Sequence, residues 1–589
     1  MKNEALLLLV PAVLAAGCSK ESITEDPWTG YSQNQNGSGS TSGVTGNTTA
    51  EALFDEEDLV ANTKFDLTVS VVFSENGDAV VSGTNGQKVT INGNQVTIDN
   101  RNVTDAEGKG IKVKYELSGK TGNGFLKLYS NNKQALVLNG VSITNPNGAA
   151  INNQGKKRCF VIVNGSNSLA DGASYTATPE DEDEKAVFFS EGQLIFSGEG
   201  SLDITAKGKA GITSDDYLHF MENPSISVNA SAGHGFRGKD FIYVSGGTLE
   251  ATVSASGKKG MSSDSLVVFN GGTTTLKISG GVLVEDGEYT GSAGVRADQL
   301  FVMNVGTLDI SNSGQGGKGI SCDGPGFFQG GDVTVNVSGS NYGSSSSQGG
   351  FGPGASTSSD DSSKSAKGLK FDGNLYFSGG TVVVKATNHE AIESKGKIEI
   401  TGGNVYAQSK DDAINSSAMM AITGGHVVAW STGNDGLDAN GNLYIEGGVV
   451  YAIGSGGAEV AVDANTEGGA CLYMNGGILF SIGGLERGAA ISQTCYQASS
   501  WNKNTWYSLE ADGKTYAFQT PSSGGTGLVV SAPSQPDVKS GVTVNSDDFL
   551  GDRLMLSGEV SGGSAVSLSA YSASSGGMGG PGGPGGRPW

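Results

Sequence analysis

The residues with the greatest chemical load are Lys410-Asp411-Asp412-Ala413-Ile414-Asn415 and, shortly after them, Asn434-Asp435-Gly436-Leu437-Asp438. Asp412 and Asp435 are 23 positions apart, the same interval that separates Ile414 from Leu437. If that interval is one turn of a coiled chain, the two carboxylates stack at one corner, about 4.8 Å apart. Ionised carboxylates held that closely repel. A hard divalent cation relieves the conflict, and calcium accepts several oxygens with loose geometry. Asp411, Asp412, Asn434, Asp435 and Asp438 supply such oxygens, with Asn415 and Glu393 in reserve. The other reading is a set of solvated turn residues, or an Asx ladder in which each side chain bonds a corner amide. The acids cluster on two turns and not on all, which favours calcium. Paired carboxylates also suit glycoside hydrolysis, so a catalytic role stays open at this point.

Positioning these groups requires a repeating scaffold, and the sequence carries one. An aliphatic or aromatic position recurs at Val187, Ile212, Phe236, Met261, Val295, Ile320, Leu369, Ile392, Ile414 and Leu437. Most steps are 22 to 25 residues, and strand-like segments at so short a period mean coils stacked on one another. The columns Val382/Val405/Val427/Val450 and Val384/Ala407/Ala429/Ala452 sit two residues apart, so they share one face, which must be the interior. Gly-Gly pairs such as Gly402-Gly403 and Gly424-Gly425 return at the same place in each coil, where a tight corner excludes a Cβ. Glycine makes up 95 of 589 residues without a Gly-X-Y period, which excludes collagen. The pattern predicts an all-β, right-handed parallel β-helix of about a dozen coils. Its expected coils run over 136–500, with an N-terminal cap and first coils over 50–135 and a small C-terminal β cap over 501–571. A Ser/Gly-rich loop at 338–367 leaves the solenoid.

The chain begins with a lysine, an apolar run and Ala15-Ala16-Gly17-Cys18, the pattern of a bacterial lipoprotein signal peptide over 1–18. Cys18 is the expected lipidation site. Residues 19–49 read as a flexible tether, and 572–589 as a disordered Gly/Pro tail. The expected location is the bacterial outer membrane, lipid-anchored and facing outward. Net charge is −23, which argues against nucleic acid and demands a local basic groove or a bridging cation for any polyanionic glycan. Cys471 and Cys495 are one coil apart and are either a disulfide or two buried thiols. The absence of a Cys-x-x-Cys pair gives no zinc signature.

A second candidate site lies on the outer side of the valine columns. Tyr406, Val428, Tyr451 and Phe480 form one outward column, and Gln408, Trp430, Ile453 and Ile482 a neighbouring one. Tyr406, Trp430 and Tyr451 are therefore candidate platforms for sugar rings; the competing reading is that a C-terminal cap covers the stripe. His219, His234, His389 and His426 are scattered and read as surface residues.

These features resemble the family of secreted calcium-binding, carbohydrate-binding β-helix domains, whose fold is like that of the family-nine polysaccharide lyases. The likeness spans about residues 85 to 500. It is most specific at Leu138-Asn139-Gly140-Val141-Ser142-Ile143-Thr144-Asn145, at Asn167 to Thr176 with the acidic run Glu180 to Glu184, and at the coil motif. The resemblance implies binding of plant cell-wall glycans with calcium held along the helix. Where the family has Asn-Asp-Gly-Ile, this chain has Lys209-Ala210-Gly211-Ile212 and Gly233-His234-Gly235-Phe236, so the early acidic corners are lost. The later corners keep the pattern.

A lyase of this kind places a lysine base one or two coils beyond its calcium. After Lys410 the next lysine is Lys503, outside the regular coils. The expectation is a non-catalytic surface lipoprotein whose partner is a polysaccharide, with calcium as cofactor. A β-helix lyase or hydrolase and an adhesive structural solenoid are the alternatives.

Overall fold

Short runs of alternating apolar residues, closed by glycine corners, make strands of three to six residues that have no partner within their own coil. They find partners in the next. In the computed structural model, which describes residues 55–176, 178–343, 364–457 and 459–573, the chain is all-β, and single-turn 3-10 segments are its sole helical elements among the described residues. The leader with Cys18, the tether, most of the 338–367 stretch and nearly all of the Gly/Pro tail lie outside the described residues.

Each turn of chain contributes one strand to each of three parallel ladders. Ile414–Ser416, Met420–Ile422 and His426–Ser431 form one turn. Leu437–Ala439, Leu443–Ile445 and Val449–Ile453 form the next and pair with them in parallel, strand for strand. Elsewhere the second and third ladders are joined by strands that run through both, such as Leu266–Ile278 and Leu300–Asn312.

The core column holds in register from Ile212 through Phe236, Met261, Val295, Ile320, Leu369, Ile392 and Ile414 to Leu437 and Val462. Its partner one coil before Ile212 is Phe188, not Val187. Both side chains are fully buried, so a one-residue slip there leaves no mark on hydrophobicity alone. The two valine columns also pair as the spacing predicts. One apolar cluster fills the bore along its length; burying each Val, Leu or Ile contributes about 1.5–3 kcal/mol against chain entropy. Gly425 shows why the corners are glycine: its φ is +76°, and a Cβ would stand 2.6 Å from the Gly403 carbonyl oxygen.

Ladder pairing passes directly from Lys318–Cys322 to Lys367–Phe371, so the intervening residues add no strand to that ladder. A small antiparallel hairpin, Leu283–Glu285 with Glu288–Thr290, is a further insertion between coils.

The C-terminal end of the stack is closed, and an N-terminal arm packs along its side. In that arm, Asp58 from the Glu56–Asp58 turn is buried against the outer wall of the second ladder. It accepts from Tyr217 Oη at 2.5 Å and Arg158 Nε at 2.7 Å, and its Oδ2 lies 2.8 Å from His219 Nδ1. At the end, Leu528–Ser531 pairs antiparallel with Ile478–Ile482 and Cys495–Ala498. A four-stranded barrel then follows, built from Trp506–Ala511, Lys514–Gln519, Asp537–Leu550 and Leu554–Ala565.

That barrel lies along the third ladder and covers the stripe expected to bind sugars. Tyr406, Val428, Tyr451 and Phe480 are buried in one cluster with Phe518, Leu550 and Leu554. Tyr451 Oη donates to the Gln519 carbonyl at 3.0 Å, and Arg553 sits 4.5 Å above the partly buried Trp430 ring. Tyr406, Trp430 and Tyr451 are therefore interdomain core and not an exposed ligand platform. The apolar residues were read correctly as an outward column; what faces them is protein.

The histidines also depart from expectation, since none is exposed. His219 is fully buried, Lys259 donates its backbone N–H to His234 Nδ1 at 3.1 Å, and His426 Nδ1 lies 3.0 Å from Asn404 Oδ1. Cys471 lies in a small cluster with Tyr444 and Tyr473 outside the second ladder, whereas Cys495 lies in the central core. The wall of parallel strands stands between the two cysteines.

Candidate cation site on the first ladder

In the first ladder every strand has an apolar residue pointing inward, followed by one pointing outward. Along the last coils these outward residues are Glu393, Asn415, Asp438 and Asp463, paired in register. A polar column thus runs up the ladder, with a carboxylate on every rung but that of Asn415. The corner residues stand beside it. Asp412 and Asp435 immediately precede the strands Ile414–Ser416 and Leu437–Ala439, and the Ala413 N–H donates to the Asp435 carbonyl at 3.1 Å.

The structure sets the five predicted residues on two neighbouring coils and links them by hydrogen bonds in two sets. Asn415 Nδ2 donates to Asp412 Oδ2 at 3.1 Å and to Asp438 Oδ2 at 2.6 Å. Asn434 Nδ2 donates to Asp411 Oδ1 at 3.0 Å. Part of the Asx arrangement is also present: the Asp435 N–H donates to Asp412 Oδ1 at 3.2 Å, and the Val460 N–H to Asp435 Oδ1 at 2.6 Å. Each corner carboxylate therefore uses one oxygen to fasten the next coil.

The charge balance is the notable feature. Asp412 and Asp435 are 6% and 7% exposed. Among the described residues, no lysine or arginine forms an ion pair with Asp412, Asp435, Asp438 or Asp463. Burial, then the neighbouring Asp438 and Asp411, pushes the Asp412 carboxyl up to about 8. Burial, with Glu459 and Asp438 nearby, raises Asp435 to about 7. Burial and Asp411 raise Asp438 to about 6. Asp463 is pushed up by burial and by Glu486 beside it. Buried and half-buried carboxyls that repel one another are stabilised by taking up protons or a cation.

One coil earlier the situation reverses. Burial alone would raise Glu393, but Lys367 at 2.6 Å and Lys395 hold it at about 2. Lys367 also reaches Glu390 at 3.3 Å, and Glu390 meets His389, whose Nδ1 lies 3.3 Å from Asp411. Glu393 is therefore neutralised by lysines and leaves the site to the later coils. Asp463, with Glu459 and Glu486 near it, was not foreseen. The signal was present, since Val462-Asp463-Ala464 repeats Leu437-Asp438-Ala439 after 25 residues, within the coil period.

A second concavity, of about 800 Å³, opens between the N-terminal arm and the second ladder, lined by Leu59, Val60, Met221, Asn223, Tyr243 and Asn270. Its walls come from segments far apart in the chain, so no local motif announces it.

The model of a protein family described as carbohydrate-binding domain-containing protein matches residues 92–413. The chain belongs to this family. The matched region of this carbohydrate-binding domain protein covers most of the ladders and ends at the first acidic corner, so Asn434, Asp435, Asp438 and Asp463 lie beyond it. Among curated proteins, none matches the chain. Among solved structures, a polysaccharide lyase-like protein from C. thermocellum, determined as a gadolinium derivative, is 21% identical with a TM-score of 0.33. The alignment covers 45% of this chain and 97% of that one.

Proposed function

We propose that this protein is a lipid-anchored surface lipoprotein, attached through Cys18 to the bacterial outer membrane, that binds polysaccharide with the help of calcium and without catalysis. Its ladders are read as a right-handed parallel β-helix. The observation that carries the calcium reading is the column of buried carboxylates without a cationic partner. Its donors are carboxylate and amide oxygens, the hard set that suits calcium and not a thiophilic metal. Asp411, Asp412, Asn434, Asp435 and Asp438 would hold the ion, with Asp463 extending the site by one coil. When bound, calcium neutralises the stacked carboxylates and offers open positions to sugar oxygens. The residues themselves hold consecutive coils in register through Asp412 and Asp435, and so keep the outer face rigid for a glycan.

Ion pairing supports the non-catalytic reading. Lys367 and Lys395, which stand at the Glu393 rung of the column, are both bound to that glutamate, which makes them poor bases. Native gel electrophoresis through embedded polygalacturonate, xyloglucan and soluble cellulose derivatives tests the whole reading. Retardation that chelation weakens is expected. Free migration in every glycan overturns it and favours an adhesive solenoid, whereas release of an unsaturated, ultraviolet-absorbing product would make the protein a lyase.

A further inference from the structure

The carboxylate column accounts for one end of the first ladder; its middle has the opposite sign. Lys259, Ala293, Lys318 and Lys367 pair in register along one column, and Arg296, Ser321 and Lys370 along the next. Ala293 and Ser321 interrupt the two columns, so Lys259 and Lys318, like Arg296 and Lys370, stand two rungs apart, about 9.6 Å along the ladder. Lys259, Arg296, Lys318, Lys364 and Lys370 line a single cleft of about 330 Å³. Tyr289, from the inserted hairpin, forms part of its rim and packs against Tyr342 with ring centroids 6.0 Å apart.

Two of the five are paired: Arg296 with Asp298 and Asp323, and Lys370 with Asp372. Among the described residues, Lys259, Lys318 and Lys364 form no ion pair; Lys259 Nζ donates to the Gly257 carbonyl at 2.7 Å. Burial and then Lys367, Lys370 and Lys364 lower Lys318 to about 8, and burial with Arg296 lowers Lys259 to about 8. Half-buried like charges converging on a cleft cost stability unless something anionic enters.

Resting on the polysaccharide-binding reading, we infer that this cleft is a calcium-independent subsite for the oxyanion of an acidic saccharide, a uronate carboxylate or a sulfate ester. Lys318 and Lys364 bind the anion, Lys259 and the paired Arg296 and Lys370 set the field, and Tyr289 offers a face to the sugar ring. A cleft with an aromatic rim fits a saccharide better than a bare ion. The net charge of −23 over the rest of the protein disfavours an extended nucleic acid.

Calorimetry of the full chain in EDTA tests this, with a galacturonate hexamer, a sulfated galactan oligosaccharide, a neutral xyloglucan oligosaccharide, inorganic phosphate and single-stranded DNA as titrants. One or both acidic oligosaccharides should bind, more weakly as salt rises, and their relative affinity identifies the source of the oxyanion. The Lys318→Gln/Lys364→Gln variant should lose about tenfold or more in affinity. Lys364→Gln alone should lose part of it, with an unchanged melting curve as proof of folding. Unchanged affinity in both variants overturns the subsite, as does phosphate or DNA binding as tightly as the oligosaccharides. Binding of the neutral oligosaccharide alone overturns the subsite but leaves the polysaccharide reading intact; failure of every glycan here and in the gels overturns both.

Discussion

Asn415 Nδ2 donates to Asp438 Oδ2 at 2.6 Å across one coil of the first ladder, and to Asp412 Oδ2 at 3.1 Å within its own. One amide thus stands between a buried and a half-buried acid that have no cation of their own among the described residues. It ties the corner to the strand.

Calcium should therefore stabilise the protein through this column. At calcium well above its dissociation constant, binding to the folded state alone adds about 2.7 kcal/mol per hundredfold excess. Asp412→Ala/Asp435→Ala should melt below the parent in calcium and close to it in chelator, where the lost amide contacts are offset by relieved repulsion. Scanning calorimetry checks this, and an equal loss in both conditions would sink the calcium assignment.

Asp463→Asn probes the rung that lies beyond the predicted set. If the site extends to that coil, the variant weakens calcium stabilisation while leaving the apo protein unharmed or slightly more stable, because one repelling charge is gone. A variant indistinguishable from the parent at limiting calcium would confine the site to Asp411–Asp438.

The N-terminal latch predicts an acid-sensitive region. Burial tends to raise the Asp58 carboxyl, but hydrogen bonds from His219, Arg158 and Tyr217 together hold it below its ordinary value. A depressed carboxyl contributes stability above its unfolded value, about 4, and loses it as pH falls through the folded one. Asp58→Asn should cost about 3 kcal/mol at neutral pH, since Arg158 is left without its buried partner. The difference from the parent should shrink below about pH 4. Limited proteolysis of residues 55–66 across that pH range reads it out.

The interdomain cluster predicts a stability effect without a binding effect. Phe518 stacks on Phe480 at 4.2 Å and meets Tyr451 edge-on at 5.1 Å. Phe518→Ala should cost about 3–5 kcal/mol and raise dye binding to exposed apolar surface. Tyr451→Phe removes the hydrogen bond to Gln519 for about 1 kcal/mol and should leave glycan retention unchanged. A loss of retention in a folded Tyr451→Phe protein would return the stripe to the ligand.

The core was legible because the parallel ladders repeat. Ile392, Ile414 and Leu437 occupy the same rung on successive coils, so one local rule, applied nine times, gives the ladder. The acidic corner was legible for the same reason, its spacing being the coil period. Phe188 escaped because Val187 beside it is equally apolar and equally buried. The basic cleft escaped because its members, from Lys259 to Lys370, are separated by a hairpin and a long insertion that break the interval.

By itself the sequence determined the periodic parts of this protein: the stacked parallel strands, their apolar interior, the glycine corners and the carboxylates that the period brings together. Each of these follows from contacts between neighbouring coils, which a short repeat encodes locally. The tertiary structure decided what lies against the outside of the stack. Whether Tyr406 and Tyr451 meet solvent or Phe518, and whether His219 is free or closed over by Asp58, depends on segments far away along the chain: Tyr451 and Gln519 are 68 residues apart, and His219 and Asp58 are 161 apart. Such contacts are set by the docking of whole elements, and no interval in the sequence marks them.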